Sequence, residues 1–198
     1  MESDDPLFTL TAPSEEEIRR FISDQKDSSF SYPEIGASAL VAPRRYNVDH
    51  NRIQLGRGEG TWRRGVEVIR TWQMFNMPWL RLYWTSAPIQ VGTDVAVSVS
   101  HLGFYSLNAC RIVYVIDEDG PNKRFGFAYG TLAEHAESGE ERFTVEWNRD
   151  EDTVWYEILA FSRPRNLLAR FGYPLSRLLQ KKFTQDSKAA MAESVSQT

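Results

Sequence analysis

The run Glu140-Glu141-Arg142-Phe143-Thr144-Val145-Glu146-Trp147 sets Phe143, Val145 and Trp147 on one side and Arg142, Thr144 and Glu146 on the other. A period of two marks a strand with one dry and one wet face. Val95, Val97 and Val99 alternate in the same way with Ala96, Ser98 and Ser100. Around these two strands, extended stretches are expected near 79–85, 104–117, 123–132 and 153–161, with no helix between them. The turn-forming clusters Asp117-Glu118-Asp119-Gly120-Pro121-Asn122 and Asn148-Arg149-Asp150-Glu151-Asp152 separate neighbours. Connections this short join antiparallel partners.

Outside this block the period lengthens. Ser14 and Glu17 form a capping box ahead of Ile18, Phe21 and Ile22, which predicts a helix over about 14–26. Residues 27–47 are rich in Ser, Pro and Gly and read as a connection packed over the domain. A short strand over 52–57 leads to Thr61, the expected cap of a helix in which Trp62, Val66, Ile69 and Trp72 share a face and which ends near Asn76. Pro164 suits a first helical turn, and Leu168, Phe171, Leu175, Leu178, Phe183 and Ala190 continue an apolar face, kinked at Gly172 and Pro174.

The expected fold class is α+β: a curved, mainly antiparallel sheet of about seven strands gripping a long C-terminal helix, with an added N-terminal helix. The chain reads as a single domain over 1–198, with 1–12 and 187–198 as flexible tails. An apolar sheet face closed by one helix leaves a hydrophobic cavity. Phe125, Phe127, Tyr129, Trp147, Trp155 and Phe161 are its expected lining.

Of 198 residues, 41% are hydrophobic and 25% charged, a balance that supports one well-filled core. Lys and Arg number 23 against 27 Asp and Glu, for a net charge of -4, so no global positive field draws in nucleic acid. Cys110 is the sole cysteine, so no intrachain disulfide forms and a reduced structural thiol is expected. The acidic start Met1-Glu2-Ser3-Asp4-Asp5 lacks the basic and apolar segments of a signal peptide, and no apolar run approaches the ~18 residues of a membrane span. Cytoplasmic residence is the expectation.

The run Phe125-Gly126-Phe127-Ala128-Tyr129-Gly130-Thr131-Leu132, then His135, then Gly139-Glu140-Glu141-Arg142-Phe143, resembles uncharacterised protein family 0548 of bacteria and plants. The resemblance takes in Gly56-Arg57-Gly58, Trp72, Cys110-Arg111, Val154-Trp155, Phe161-Ser162-Arg163-Pro164 and Gln180, and covers about 46–192. Ala133-Glu134 stands where that family often carries a Pro-Gly turn. The family is in turn similar to START-like helix-grip proteins, which implies a ligand-binding fold without establishing a reaction.

Alternation places Glu141 with Phe143, Val145 and Trp147, facing the interior, while Glu140 and Arg142 face water. Glu157 alternates with Trp155, Leu159 and Phe161, and a second inward carboxylate is expected there, although the opposite face, Val154, Tyr156, Ile158 and Ala160, is also apolar. Arg111 is the cation expected to meet them. The ligand-binding set is therefore Arg111, Tyr129, Glu141, Trp155 and Glu157, with Arg111 orienting a carboxylate or carbonyl group and Tyr129 donating beside it. A purely structural Arg–Glu network is the competing reading.

Three functions fit this set. The first is noncatalytic binding of a small, apolar or amphipathic molecule in the cavity. The second is a cyclase-, hydrolase- or isomerase-like enzyme in the same cavity, with Glu141 and Glu157 as acid and base. The third is a protein or membrane interaction module, to which Arg163, Arg165, Arg170, Arg177, Lys181 and Lys182 would lend a positive face. No cofactor is implied: Gly56, Gly58 and Gly60 have the wrong spacing for a dinucleotide fingerprint, and His101, His135 and Glu140 match no zinc signature.

Overall fold

The computed structural model describes residues 8–40, 43–101, 103–133, 135, 137–164 and 173–197. The Ser14 hydroxyl accepts from the Glu17 amide and the Glu17 carboxylate accepts from the Ser14 amide, so the capping box forms as expected and opens α1 (Glu15–Asp24). Strand β2 (Asn47–Arg57) is longer than expected and runs directly into α2 (Gly58–Arg70). Thr61 therefore lies inside the helix instead of capping it, its hydroxyl donating to the Arg57 carbonyl at 2.7 Å.

A 3-10 turn at Gln73–Phe75 follows, and then the strand series: β3 (Leu80–Tyr83), β4 (Asp94–His101), β5 (Phe104–Glu118), β6 (Asn122–Thr131), β7 (Glu137–Asn148) and β8 (Thr153–Pro164). All pair antiparallel, in the order β2-β8-β7-β6-β5-β4-β3, and a short strand β1 (Phe8–Thr9) attaches to β5. Irregularities at Gln54/Gly56 in β2 and Ile112/Tyr114 in β5 add the local bend with which a long antiparallel sheet curls.

Helix α3 (Tyr173–Ser196) lies within the curl, against β2, β8, α2 and the Gln73–Phe75 turn. This is the expected sheet-round-a-helix arrangement. Two expectations near the C-terminus are corrected. Pro164 closes a strand instead of opening a helix, because the β7 ladder continues to the Glu137–Pro164 pair. Residues 187–196 are not a tail but the last turns of α3, where Ser187, Met191 and Val195 are buried. At the other end, Phe8 and Thr9 are held by β5, while 1–7 lie outside the described residues, as do the expected apolar positions Leu168 and Phe171.

The inner sheet face contributes Val95, Val97, Cys110, Ile112, Phe127, Phe143, Val145, Val154, Tyr156 and Ile158 to one core with Val66 and Ile69 of α2 and Met191 and Val195 of α3. Fully burying each large side chain of this kind stabilises by roughly 1.5–3 kcal/mol. The outer face is covered as well. Residues 30–40 cross it, and Tyr32 forms a second core with Tyr46 and Phe161, with edge-to-face contacts from Phe161 to Tyr32 at 5.7 Å and to Tyr46 at 5.0 Å.

This cover is pinned by Glu140, which is 3% exposed. Its Oε2 accepts from the Tyr32 hydroxyl and the Gly36 amide, both at 2.7 Å, and its Oε1 from the Ser38 amide at 3.0 Å and the Ser38 hydroxyl. Gly36 can aim its amide this way because it holds φ +83°, a conformation that costs glycine little. Arg142 donates to the Ser38 carbonyl at 2.7 Å and pairs with Glu157. The expectation that Glu140 and Arg142 face water is thus overturned: they point outward from the sheet, but into the covering segment.

Tyr32 reaches Glu140 across Gly130, where a Cβ would lie 2.8 Å from Tyr32 Cζ and nearer still to its hydroxyl oxygen. Gly130→Ala should destabilise the protein by about 2 kcal/mol, the usual scale of overpacking. In a Tyr32→Ala background the same substitution should cost under ~0.5 kcal/mol, because the obstruction is gone. Denaturant unfolding of the four proteins tests this, and equal costs in both backgrounds would contradict the packing account.

Candidate functional site

Register brings the inner polar residues together. Strands β6 and β7 place Tyr129 opposite Glu141, and β8 places Ala160 on the other side of Glu141, followed by Asp49 of β2 opposite Ala160. The Tyr129 hydroxyl donates to Glu141 Oε2 at 2.9 Å. Glu141 Oε1 has no hydrogen-bond partner among the described residues. The carboxyl is enclosed by protein, yet the residue keeps accessible surface, as do Ala160 and Phe183.

Aromatic rings flank this carboxyl. Phe143 follows Glu141 on the same face of β7, with its ring 5.4 Å from Tyr129 and 6.2 Å from Phe183 of α3. Phe75 closes the group at 5.4 Å from Phe143 and 5.5 Å from Phe183. Towards the start of α3 the surface turns polar. Gln180 donates to Ser162 Oγ at 2.9 Å and to Glu137, and Arg177 donates to Gln180 Oε1 at 2.6 Å and to Asp49 Oδ1 at 2.8 Å.

Burial is the main influence that pushes the Glu141 carboxyl up to about 8; the Tyr129 hydrogen bond opposes it, and the charges of Glu137 and Asp49 add to it. Burial, and next the Glu141 charge, raise the Tyr129 hydroxyl, so it remains the donor of the pair. Cys110, on the same inner face, has its thiol raised by burial and then by Glu141. A thiol kept protonated is a poor nucleophile, in keeping with the expected packing role.

Of the five residues expected to bind a ligand, only Tyr129 and Glu141 meet. Arg111 points to the outer face, bidentate to Asp94 at 2.6 and 3.0 Å, and donates to the carbonyls of Gln25, Lys26 and Ser28 just beyond α1. It anchors the end of that helix. Glu157 and Trp155 also lie outside: Glu157 pairs with Arg142 and with His50 at 3.2 Å, and the Arg52 guanidinium stacks 4.4 Å over the Trp155 ring. The reason is that Val154, Tyr156 and Ile158 occupy the inner face of β8. The expected lining divides accordingly, with Phe125, Phe127, Tyr129 and Trp147 inside and Trp155 and Phe161 outside.

Burial works against the ionised form of Glu157, but its bonds from His50 and Arg142 outweigh it and hold the carboxyl below its ordinary range. Glu141 and Glu157 thus differ in acidity as an acid and base pair would, yet the sheet separates them, and they cannot share one substrate. His135 Nδ1 accepts from the Glu137 amide at 3.0 Å, and the His101 side chain falls outside the described residues. Among the described residues no three His, Cys, Asp or Glu side chains are grouped to hold a metal ion, and no helix is long and apolar enough to cross a membrane.

Asp49, Glu137, Ser162, Arg177 and Phe183 were not among the expected site residues. Asp49 shares the alternation of Ile53 and Leu55, and Glu137 that of Glu141 and Phe143, but both signals sit at strand ends beyond the expected boundaries.

Because the folded carboxyl of Glu141 binds its proton more tightly than an unfolded one, its contribution to stability is complete below about pH 4.5 and is lost as pH rises towards about 8. Glu141→Gln removes this dependence while keeping an acceptor for Tyr129. Relative to that variant, the natural protein should lose more than ~1 kcal/mol between pH 5 and pH 8, as measured by urea unfolding. Parallel pH profiles would show that Glu141 ionises freely.

Residues 31–190 match the family model described as a domain of unknown function, DUF1990. A UPF0548 protein of Dictyostelium discoideum is 36% identical over 208 residues, covering 96% of each chain. One of Deinococcus radiodurans is 33% identical, covering 89% of this chain and 92% of its own. Among solved structures, a hypothetical protein of Helicobacter pylori aligns over 83% of this chain and 95% of its own, with a TM-score of 0.49 and 12% identity. Human STARD10 aligns over 89% and 80%, with a TM-score of 0.41 and 8% identity. The family match spans the outer cover, the curled sheet and most of α3, and with these relatives it shows that the chain belongs to the UPF0548 family and carries a DUF1990 domain.

Proposed function

We propose that the protein binds a small, largely apolar molecule between the inner sheet face and α3, with Glu141 and Tyr129 holding its polar group. The observation that carries this reading is that Glu141, which keeps accessible surface beside the Tyr129 and Phe143 rings, has no hydrogen-bond partner for Oε1 among the described residues. A carboxyl in such surroundings costs several kcal/mol when it lacks partners. A side chain of similar size without charge would pack there at no such cost. A guest that supplies the missing partner accounts for its presence.

Binding without turnover is favoured over catalysis because, among the described residues, the other carboxylates near Glu141 are engaged, Glu137 by Gln180 and Asp49 by Arg177. Glu157 is across the sheet, and burial keeps the Cys110 thiol protonated. The enzyme reading keeps one supporting observation, since a carboxyl near pH 8 suits general acid work close to neutrality.

Native mass spectrometry of gently purified protein should show a noncovalent adduct that is released on denaturation and recovered by extraction. Ala160→Phe, which fills the partly accessible position between Glu141 and Asp49, should fold and lose the adduct. The natural protein should also take up a neutral, polarity-sensitive naphthalene dye. Neither adduct nor dye uptake in folded natural protein would refute ligand binding, and chemical change of the extracted molecule on incubation with fresh protein would favour the enzyme.

A further inference from the structure

We infer that the polar group accepted beside Glu141 is a protonated amine, so that the guest is a cationic amphiphile: an ammonium group on an apolar body. This rests on the binding role proposed for that space and names the chemistry it selects.

The first reason is the hydrogen-bond inventory. Tyr129 has one hydroxyl proton, and it is committed to Glu141 Oε2 at 2.9 Å. What remains open is the other carboxyl oxygen, which carries the proton while Glu141 is neutral and becomes an acceptor when a cation displaces that proton. Further out, the Gln180 amide group donates to Ser162 and Glu137, and its oxygen accepts from Arg177. The open position therefore asks for a donor, and an ammonium group brings three.

The second reason is the sign of the local charge. Among the described residues, the charges that act on Glu141 are those of Glu137 and Asp49, both negative, the latter paired with Arg177. Arg177 is engaged with Asp49 and Gln180, and Lys188 reaches Asn51 at 3.4 Å farther along α3. A carboxylate guest would add a further negative charge beside Glu137 and Glu141. A cation instead neutralises Glu141, and the low-dielectric surroundings strengthen that attraction.

The third reason is aromatic. Tyr129 and Phe143 neighbour Glu141 on β6 and β7, and the partly accessible Phe183 of α3 packs against Phe143. The negative face of an aromatic ring attracts ammonium and offers nothing comparable to an alcohol or an acid. Carboxylate oxygen and ring faces together are the combination that recognises an alkylammonium group.

The test compares three probes on one skeleton, 4-phenylbutylamine, 4-phenylbutanol and 4-phenylbutanoate, by isothermal titration calorimetry against the full chain stripped of copurified material, with competition against the naphthalene dye. The amine should bind at least about tenfold more tightly than the alcohol, and the acid most weakly. In Glu141→Gln, with dye uptake confirming an intact space, the preference for amine over alcohol should fall to within about threefold. An acid or alcohol bound as tightly as the amine would overturn the inference while leaving the binding role intact. A preference for the amine that survives Glu141→Gln would also overturn it, because the selectivity would then arise elsewhere. If the dye and all three probes fail to bind natural protein, the binding role itself fails.

Discussion

The cradle around Glu140 is the interaction on which the rest of the structure depends. Two adjacent residues of a strand must point to opposite faces, so whatever fixes one fixes the other. The four donors that residues 32–38 supply hold Glu140 on the outer face of β7. Glu141 is thereby committed to the inner face, and so are Phe143 and Val145 beyond it. A slip of one residue would bring Glu141 into a cradle built for another side chain and turn the Phe143 ring out of the core. Each hydrogen bond to a charged group stabilises by roughly 1.5–3 kcal/mol, enough in sum to offset the cost of burying the carboxylate and to specify the register.

The same segment explains why the sheet can be apolar on both faces. Strand β8 sends Val154, Tyr156 and Ile158 inward and Phe161 outward, and neither side would be stable against water. The inner side is closed by α2 and α3, the outer side by Phe30, Tyr32, Ala37 and Tyr46. Arg111 locks the origin of this cover, because its guanidinium binds the carbonyls at the end of α1 as well as Asp94 on β4. Its partners place it among the groups that hold the outer layer down, so its positive charge does not reach the interior.

What could be read from the sequence was what depends on local period. The six strands from β3 to β8, the capping box of α1 and the inward face of Glu141 all follow from the spacing of apolar residues, and all stand near their expected places. What could not be read depended on partners distant in the chain. Nothing near Glu140 or Arg142 announces that residues 32–38 will cover them, so polar side chains on a strand read as wet. Where both faces are apolar, as in β8, alternation loses its power to assign inside and outside, and Glu157 and Trp155 lie on the face opposite to the one it suggests. The last turns of α3 looked like a tail because small and polar residues predominate there, but Ser187, Met191 and Val195 are buried by the sheet and α2 that close around them.

The contrast between the two neighbouring glutamates carries the functional argument. Glu140 is saturated: the chain folds a segment over it whose hydroxyls and amides meet both oxygens. Glu141, one residue on, receives a single hydrogen bond and leaves one oxygen open in aromatic surroundings. The chain can satisfy a buried carboxylate, as Glu140 proves, so the shortage at Glu141 does not reflect a fold too simple to supply donors. A partly satisfied buried polar group is a cost borne by the folded state unless something else completes it. Among the described residues nothing does, while Glu141, Ala160 and Phe183 all retain accessible surface.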